Sequence, residues 1–465
     1  GAPIPPAPRA RRMPNAPPQA PGMRAGTGHG GDGGGPEARR RMLSGTLGWL
    51  LLLASDLGAR ALFDPEHKIE SARIYGNIDA FAYYYIDLII GSPPQRVSVI
   101  LDTGSGVAAF PCANCNHCGS HIDPAFDFAK SSSASWVSCG DGCAGTCTGG
   151  HCSYYQGYTE GSSISGYWFQ DLVRLGDSLQ HNPAVNARMG CHNNENNLFY
   201  TQKANGILGV GPSTRGNTLL KQLFQDHEHV EGSVFSICLA EWGGRLVVGG
   251  HNASYHTGPI QNVPLEVRSG YYQVHMTGLW MNGVELSGRM GTTMIDSGTT
   301  YTYMGAEPYN ALRNAIESYC HAHNDCAASL SGKCWTVIDG LRRFPTVQTV
   351  FGNVRTDWVP KAYLYRRGGD NSNKWCYAFE NDGPGANTVL GASWMLHQEI
   401  ILDMRTNQVG IVPANCPEYR ARPVHSGDTD VTPPTVGPPT TPAPPTEVNH
   451  RASAPVSVRG RARIS

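Results

Sequence analysis

The stretch Ile100-Leu101-Asp102-Thr103-Gly104-Ser105 carries an acidic residue from an apolar run into a tight turn. The same pattern returns 194 residues later as Met294-Ile295-Asp296-Ser297-Gly298-Thr299-Thr300. This separation is about the length of one compact lobe. A single Asp-Thr-Gly turn occurs in many unrelated proteins, where the aspartate serves the turn alone. Two such turns in matching context predict a duplicated structure that brings Asp102 and Asp296 together.

Each half also carries a hydrophobic-hydrophobic-Gly run after its aspartate. Ile207-Leu208-Gly209 follows the first turn, and Val389-Leu390-Gly391 follows the second. We therefore expect two duplicated lobes with a cleft between them, an N-terminal lobe at residues 73–232 and a C-terminal lobe at residues 233–416. The strand-like segment 233–239 lies where the chain passes from one lobe to the other.

The residues before Asp102 predict a β-hairpin. Segments 83–90 and 96–101 are rich in β-branched and aromatic residues, and Gly91-Ser92-Pro93-Pro94 joins them as a turn. Residues 154–175 show the alternation of side chains that is typical of β-strands, on both sides of Gly161 and Gly166. This pattern predicts a second, glycine-tipped hairpin.

A helix is predicted at residues 307–319, because Tyr309, Leu312 and Ile316 recur at helical spacing. Helical patterns are otherwise sparse. The fold class that we predict is mainly β.

Composition indicates a secreted or secretory-pathway protein. The fourteen cysteines all lie between Cys112 and Cys416, and an even number in the globular part favours seven disulfides formed in an oxidising compartment. The net charge of −1 gives no indication of nucleic-acid binding. No run of about twenty apolar residues occurs, so no membrane span is expected in this chain.

The two ends differ from the middle in composition. Residues 1–41 form a Pro/Gly/Arg low-complexity leader, and residues 42–58 resemble a signal peptide, with a basic region before a short apolar run. Residues 417–465 are Thr/Pro-rich and predict a disordered tail.

Two carboxylates in contact supply the chemistry that peptide hydrolysis needs. They cannot both ionise, so one takes a proton from water while the other, protonated, polarises the substrate carbonyl. The turns add glycines for close backbone approach and hydroxyl donors beside each acid. The predicted catalytic residues are Asp102 and Asp296. The predicted supporting residues are Thr103, Gly104, Ser105, Ser297, Gly298 and Thr299.

These residues resemble the pepsin-like aspartic proteases over about residues 73–416. Within that family the chain is most similar to the plasmepsin V-type branch of apicomplexan secretory-pathway proteases. The segments that carry this likeness are the cysteine-rich 110–119 with His121, and 158–162 leading to 166–169. The resemblance implies the bilobal pepsin-like fold and aspartic endopeptidase activity. It also implies a role in sorting or maturation of secretory cargo.

The resemblance further implies that Tyr158 belongs to a β-hairpin flap that closes over the substrate. It implies cleavage of cargo that has Arg three residues before the scissile bond and Leu immediately before it. A guanidinium is best held by a bidentate carboxylate. Glu160 on the flap is the first candidate for this carboxylate and Asp123 the second, each with the alternative of a solvent-exposed surface acid.

Three alternatives remain open on the residues alone. The Cys112-x-x-Cys115-x-x-Cys118 spacing with His117 and His121 is compatible with a metal site, although eleven further cysteines favour disulfides. The enzyme could instead be a broad-specificity acid endopeptidase. The scaffold could also serve as a non-catalytic binding protein, but such relatives usually lose a catalytic acid.

We expect no metal and no cofactor. Polypeptides of the secretory pathway are the expected partners, and neither nucleic acid nor a membrane span is expected. We further expect a monomer, and inhibition by pepstatin-like compounds or Arg-x-Leu mimetics. The expected location is the endoplasmic reticulum or Golgi, with secretion as the alternative.

Overall fold

A computed structural model describes residues 63–64, 68–140, 143, 145–176, 182–212, 219–322 and 326–422. The predicted leader and signal-like segment, and the predicted tail from residue 423 onward, lie outside the described residues. The described part of residues 60–465 belongs to one compact unit. The predicted lobe boundaries remain a prediction.

The fold is mainly β and has the two-lobed pepsin-like architecture that the sequence predicts. At its centre, strands from both halves of the chain pair side by side in one sheet. In spatial order these strands are Gln261–Pro264, Gln408–Pro413, Gln398–Asp403, Val234–Leu239, Gly244–Val248 and Ile69–Asn77. The short strand Phe63–Asp64 pairs with Ile69–Asn77.

The same sheet continues into the N-terminal lobe. Its further strands, in spatial order, are Tyr83–Ile90, Gln95–Asp102, Gly206–Gly209, Ala108–Pro111, Val185–Glu195, Ser163–Leu175, His151–Gly157 and Thr146–Thr148. Strand Ser135–Trp136 pairs with Ser163–Leu175 at its side.

The C-terminal lobe contributes three smaller sheets. The first contains Glu266–Arg268, Tyr271–Val274, Thr293–Ile295, Thr388–Leu390, Thr302–Met304 and Phe379–Asn381. The second contains Val284–Leu286, Gly278–Met281, Val347–Phe351 and Val354–Trp358. The third contains Ala328–Ser331, Cys334–Val337, Lys374–Tyr377 and Leu364–Arg366.

The hairpin before Asp102 forms as predicted. Tyr83–Ile90 pairs antiparallel with Gln95–Asp102, and the register joins Ile90 to Gln95 across the four-residue turn. Every residue of Tyr83–Ile90 is buried. The strand is therefore covered on both faces, which explains its continuous apolar and aromatic composition.

The duplication predicted from the sequence appears as repeated topology. In the first half, Gln95–Asp102 runs parallel to Gly206–Gly209, which pairs antiparallel with Ala108–Pro111. In the second half, Thr293–Ile295 runs parallel to Thr388–Leu390, which pairs antiparallel with Thr302–Met304.

In both halves a glycine ends the hydrophobic run where the chain passes behind the aspartate turn. A Cβ on Gly209 would lie 2.7 Å from the Ser105 carbonyl oxygen, and one on Gly391 would lie 2.6 Å from that of Thr299. Only glycine permits this approach.

The predicted helix extends over Ala306–Ala322, and Tyr309, Leu312 and Ile316 are buried as the helical spacing requires. The other described helices are short: Asn197–Thr201, Leu219–Gln225, Pro360–Tyr363 and Ala392–Met395, with 3-10 turns at Phe128–Lys130, Ala253–Tyr255 and Leu341–Arg343. Among the described helices, none combines the length and apolarity needed to cross a membrane.

All fourteen cysteines are paired, which confirms the predicted seven disulfides. The bonds are Cys112–Cys191, Cys115–Cys118, Cys139–Cys147, Cys143–Cys152, Cys238–Cys416, Cys320–Cys326 and Cys334–Cys376. Three of these bonds close long loops, Cys112–Cys191, Cys238–Cys416 and Cys334–Cys376, and such closures stabilise a fold by restricting the unfolded chain.

Candidate active site

Each predicted catalytic aspartate lies at the end of a strand. Asp102 is the last residue of Gln95–Asp102, and Asp296 follows Thr293–Ile295 directly. Both side chains are fully buried. The two strands come from different lobes, so the lobes meet at these two acids.

The two turns interlock through a symmetric set of hydrogen bonds. The Thr103 amide donates to Ser297 Oγ at 3.1 Å, and the Ser297 amide donates to Thr103 Oγ1 at 2.9 Å. Each hydroxyl then donates across the lobe boundary, from Thr103 to the Ile295 carbonyl at 3.0 Å and from Ser297 to the Leu101 carbonyl at 2.7 Å. Four bonds thus fix the separation of the aspartates.

Each carboxyl group receives its own pair of donors. For Asp102 these are the Gly104 amide, 2.8 Å from Oδ1, and the Ser105 hydroxyl on Oδ2. For Asp296, the Gly298 amide lies 3.0 Å from Oδ1 and the Thr299 hydroxyl 2.7 Å from Oδ2.

The glycines in the turns allow the two acids to meet. A Cβ on Gly104 would lie 2.6 Å from Asp296 Cγ, and one on Gly298 would press on the Asp102 carboxyl. Contacts this short do not occur in folded proteins, so a larger residue at either position would push the turns apart.

The electrostatics separate the roles of the two acids. Burial raises the pKa of Asp102, while hydrogen bonds from Ser105, Asp296 and Gly104 act to lower it. Burial also raises the pKa of Asp296, and the neighbouring Asp102 charge drives it well above the usual range. Because two buried carboxyls in contact cannot both ionise, the pair shares one proton, and the larger rise in the pKa of Asp296 favours Asp296 as its holder.

The second predicted hairpin lies beside this pair. His151–Gly157 and Ser163–Leu175 are antiparallel, with Gly157 opposite Ser163 and the tip at 158–162. Gly161 is at the tip with φ +93°, a conformation that favours glycine. Gly166 instead lies within the second strand, where a Cβ would collide with the Cys191 carbonyl. We call this hairpin the flap.

Tyr158 begins the flap tip and is buried against Phe199, with ring centroids 5.0 Å apart. Burial raises its pKa well above the usual value, and the Asp102 and Glu160 carboxyls add to the shift. The Asp102 charge and the Ser105 side chain both act on the Tyr158 hydroxyl, so this hydroxyl lies close to the dyad, and we call this position of the flap closed.

Comparison with known proteins gives the same assignment. A family profile for eukaryotic aspartyl proteases matches residues 83–414, which include both aspartate turns and the flap. The chain belongs to the eukaryotic aspartyl protease family. The members of this family are aspartic-type endopeptidases.

The likeness to the plasmepsin V-type branch is also confirmed. Aspartic protease 5 of Toxoplasma gondii is 34% identical over 403 residues, which cover 78% of this chain and 39% of the relative. Plasmepsin V of Plasmodium falciparum (isolate 3D7) is 26% identical over 443 residues, which cover 74% of this chain and 73% of the relative. The chain therefore spans well under half the length of the Toxoplasma relative.

In this aspartyl protease, Glu160 is placed on the flap tip next to Tyr158. Both of its carboxylate oxygens are buried, and neither has a hydrogen-bond partner of good geometry among the described residues. Burial raises the pKa of Glu160, with the Asp102 charge adding to the shift, while the backbone amide of Glu160 itself and Ser162 oppose it in part. A buried acceptor without a partner is costly unless a ligand satisfies it.

Asp123, the second candidate for the carboxylate that binds a substrate arginine, is not available for that role. Its carboxylate is buried and already bound by two internal guanidiniums, Arg96 at 3.2 Å and Arg422 at 3.0 Å. Because these partners occupy its oxygens, we retain Glu160 alone as the proposed acceptor.

The metal alternative at the cysteine-rich loop is excluded by the disulfides, since Cys112, Cys115 and Cys118 are all paired. Within the described ranges, one set of potential ligands lies close enough together for a metal ion. It consists of Asp226, Glu228 and His229, whose ligand atoms lie within 4.8 Å of one another.

Sequence reasoning missed Glu195 as a residue of the site region. Its carboxylate is buried. Oε2 accepts a hydrogen bond from the Gly119 amide at 3.0 Å and lies 3.0 Å from His121 Nε2, and Oε1 lies 2.8 Å from His192 Nδ1. No local motif marks Glu195, because two of these partners lie more than seventy residues away in the chain.

Proposed function

We propose that this protein is an aspartic endopeptidase that cleaves polypeptides with a water molecule activated between Asp102 and Asp296. The observation that carries this proposal is the pair of buried carboxyls, Asp102 and Asp296, held together by two interlocked turns. Asp102, ionised, takes a proton from the water, whose oxygen attacks the scissile carbonyl carbon. Asp296 donates its proton to the carbonyl oxygen.

The resulting tetrahedral intermediate collapses when the carbon–nitrogen bond breaks. The proton held by Asp102 then passes to the leaving nitrogen, and a hydroxyl of the intermediate returns its proton to Asp296. Tyr158 and the rest of the flap exclude bulk water during these transfers, which strengthens every electrostatic interaction at the dyad.

Cleavage of an unstructured protein substrate by wild type, Asp102→Asn and Asp296→Asn tests this proposal. Both variants keep the size of the side chain, so we expect them to fold. Thermal melting checks that they do. We expect each to lose at least about a thousandfold in kcat/KM. Activity that persists in both variants would refute the mechanism. A wild-type protein that binds peptides without cleaving them at about pH 5 or about pH 7 would favour the binding-protein alternative.

We further propose that the enzyme selects secretory cargo with Arg three residues before the scissile bond and Leu immediately before it. Glu160 supports this, because its buried oxygens lack good partners and lie on the flap that covers the substrate. A guanidinium would satisfy both oxygens at once and would favour their ionised form.

Matched peptides with Arg, Lys or Ala at that position test the specificity. Wild type should prefer Arg over Lys by about tenfold to a hundredfold, and Glu160→Gln should lose most of this preference. Glu285→Gln, which removes the same charge from an exposed site in another sheet, is the control. Equal cleavage of Arg and Lys peptides by wild type would support the broad-specificity alternative.

The seven disulfides support a place in the oxidising secretory pathway, in the endoplasmic reticulum or Golgi, or after secretion. We propose that the protein acts there as a monomer and that pepstatin-like or Arg-x-Leu mimetic compounds inhibit it. Cleavage-site mapping on a secretory proteome near neutral and at acid pH would test location and cargo together.

A further inference from the structure

We infer that Glu195 and the two asparagines after it form a brace that holds the flap in its closed position, and that they are positioning residues for substrate selection. This inference rests on the proposed function only for its effect on substrates. The brace itself is a structural arrangement, and it can be measured without activity.

The first part of the brace is a buried anchor. Glu195 is the last residue of Val185–Glu195, and its side chain has no exposed surface. Oε2 contacts His121 Nε2 and the Gly119 amide, each at 3.0 Å, and Oε1 contacts His192 Nδ1 at 2.8 Å. Both oxygens are thus occupied from inside the protein, so Glu195 is an anchor rather than a second acceptor for substrate arginine.

Charge supports this assignment. Burial acts to raise the pKa of Glu195, but the hydrogen bonds from His121 and His192 prevail and lower it to about 2. Glu195 is therefore ionised at any pH at which a secretory protease works, and its bonds are charge-assisted.

The cysteine-rich loop at residues 110–119 also contacts the backbone of Glu195 and the strand that ends there. The backbone of His117 pairs with the end of the strand, because the Glu195 amide donates to the His117 carbonyl at 2.8 Å. His117 Nδ1 lies 2.8 Å from the Glu195 carbonyl oxygen. The disulfide Cys112–Cys191 joins the same loop and strand. The loop that resembled a metal motif thus fixes the position of Glu195.

The second part of the brace contacts the flap tip directly. Asn196 Oδ1 accepts from the Ser163 amide at 2.5 Å, and the Asn196 amide donates to the Ser163 carbonyl at 3.2 Å. Asn197 Nδ2 donates to the Gly161 carbonyl at 2.8 Å. The Leu198 amide donates to Ser162 Oγ at 3.2 Å. Four bonds therefore join three consecutive residues to the flap.

Two local departures indicate that this segment is shaped for the contact. Asn196 precedes the helix Asn197–Thr201, where an asparagine usually caps the helix with its side chain, but here that side chain binds the flap instead. Asn197 has φ +48°, a conformation uncommon outside glycine. Such local strain persists where surrounding contacts impose it.

The flap carries Tyr158 and Glu160 within the same five-residue tip. Fixing Gly161, Ser162 and Ser163 therefore fixes the direction in which these two side chains face the substrate. Loosening the brace should weaken substrate binding and arginine selection together, because both depend on the closed flap.

The test variant is Asn197→Asp, which keeps a side chain tolerated at positive φ but removes the amide donor to Gly161. Thr201→Val is the matched control on the same helix, since the hydrogen bonds of its hydroxyl within the described part of the chain go to the carbonyls of Asn197 and Leu198. Glu195→Gln tests the anchor. If it fails to fold, Asn197→Asp still decides the question.

Hydrogen exchange of the amides at 157–163 is the measurement that is independent of activity. We expect exchange there to be about fivefold to tenfold faster in Asn197→Asp, with an unchanged melting temperature and unchanged exchange elsewhere. Unchanged exchange in this variant would overturn the brace, whatever the catalytic activity.

Kinetics then test its effect on substrates. In Asn197→Asp, we expect KM to rise about fivefold to tenfold with kcat within about twofold, and the Arg-to-Lys ratio to fall by a similar factor. Thr201→Val should match wild type. Faster exchange without any kinetic change would overturn the positioning role. An inactive wild-type protein would overturn the proposed function, and hydrogen exchange alone would then decide whether the brace exists.

Discussion

At the scale of single residues, close approach decides which amino acids occupy the two turns. The Thr103 and Ser297 hydroxyls bridge the lobes, and the glycines after them leave room for the opposite carboxyl. The same pattern repeats because each half must present the same surface to the other. This is why the dyad could be predicted from sequence.

Adding one methyl group at Gly104 should abolish activity without unfolding the protein. In Gly104→Ala, Cβ would lie 2.6 Å from Asp296 Cγ, so the two turns must move apart. The two carboxyls would then be too far apart to share a proton. We expect kcat/KM to fall at least about a hundredfold, because small displacements of catalytic groups are costly. Gly278→Ala is the control, since its nearest contact is 3.6 Å from a flexible side chain. Equal activity in both variants would contradict the close approach.

The hydroxyl donors should set the two limbs of the pH profile separately. Ser105 lowers the pKa of Asp102, so Ser105→Ala should raise it and shift the acidic limb of kcat/KM upward, by about one unit. Thr299 lowers the pKa of Asp296, so Thr299→Ala should shift the basic limb upward. The pH dependence of kcat/KM on one peptide checks both. A shift of the same limb in both variants would be inconsistent with the assigned proton.

The acids outside the dyad show where sequence reasoning reaches its limit. Glu160 could be proposed because it lies two residues from Tyr158 in a recognisable flap segment. Asp123 and Glu195 look equally polar in sequence, yet both are bound by internal partners. One partner of Asp123 lies 299 residues away, so no local pattern could assign its role.

At the scale of elements, the strands made of apolar residues could be predicted from the sequence, whereas strands with buried polar residues could not. The apolar segment 83–90 gave the first hairpin with its turn, since burial on both faces demands such residues. No continuous apolar pattern marks strand Ile69–Asn77, since its buried residues include the charged residue Glu70.

Glu70 should make the central sheet less stable as pH rises. It is fully buried without a hydrogen-bond partner in the described chain, and burial, with the Asp226 charge adding, raises its pKa to about 8. A carboxyl whose pKa is raised by folding contributes stability below its unfolded value of 4.5, and this is lost as pH rises through about 8.

Glu70→Gln should therefore stabilise the protein at neutral pH, by on the order of 2 kcal/mol in the free energy of unfolding. The gain should vanish near pH 4, where glutamate is neutral in both states. Denaturant unfolding at the two pH values checks this. Glu228→Gln, at an exposed position, is the control. A gain that does not depend on pH would show that the charge of Glu70 is not its cause.

At the scale of the whole molecule, the chain closes on itself through its last described residues. Residues 417–422 were predicted to begin the disordered tail, but they contact the folded unit. The Tyr419 amide donates to the Trp242 carbonyl at 3.0 Å, and Arg422 reaches the N-terminal lobe. Composition could not reveal this, because the partners of Arg422 are distant in sequence.

Arg422 neutralises two buried acids of the N-terminal lobe. It binds Asp87 through two nitrogens at 3.1 and 2.6 Å, and Asp123 at 3.0 Å. Burial raises the pKa of Asp87 to about 6 even with this guanidinium present. Asp123 keeps a second cation in Arg96, so the loss of Arg422 falls mainly on Asp87.

Arg422→Met should destabilise the protein by about 3 kcal/mol near pH 7.5, because it leaves Asp87 buried without its cation. Its removal raises the pKa of Asp87 further, so at pH 5 the carboxyl is neutral and the loss should shrink. Denaturant unfolding at both pH values measures this. Arg405→Met, which breaks an exposed pair, should cost under about 0.5 kcal/mol. Adding Asp87→Asn to Arg422→Met should restore most of the loss. A loss independent of pH, or no recovery in the double variant, would mean that packing rather than charge joins this segment to the lobe.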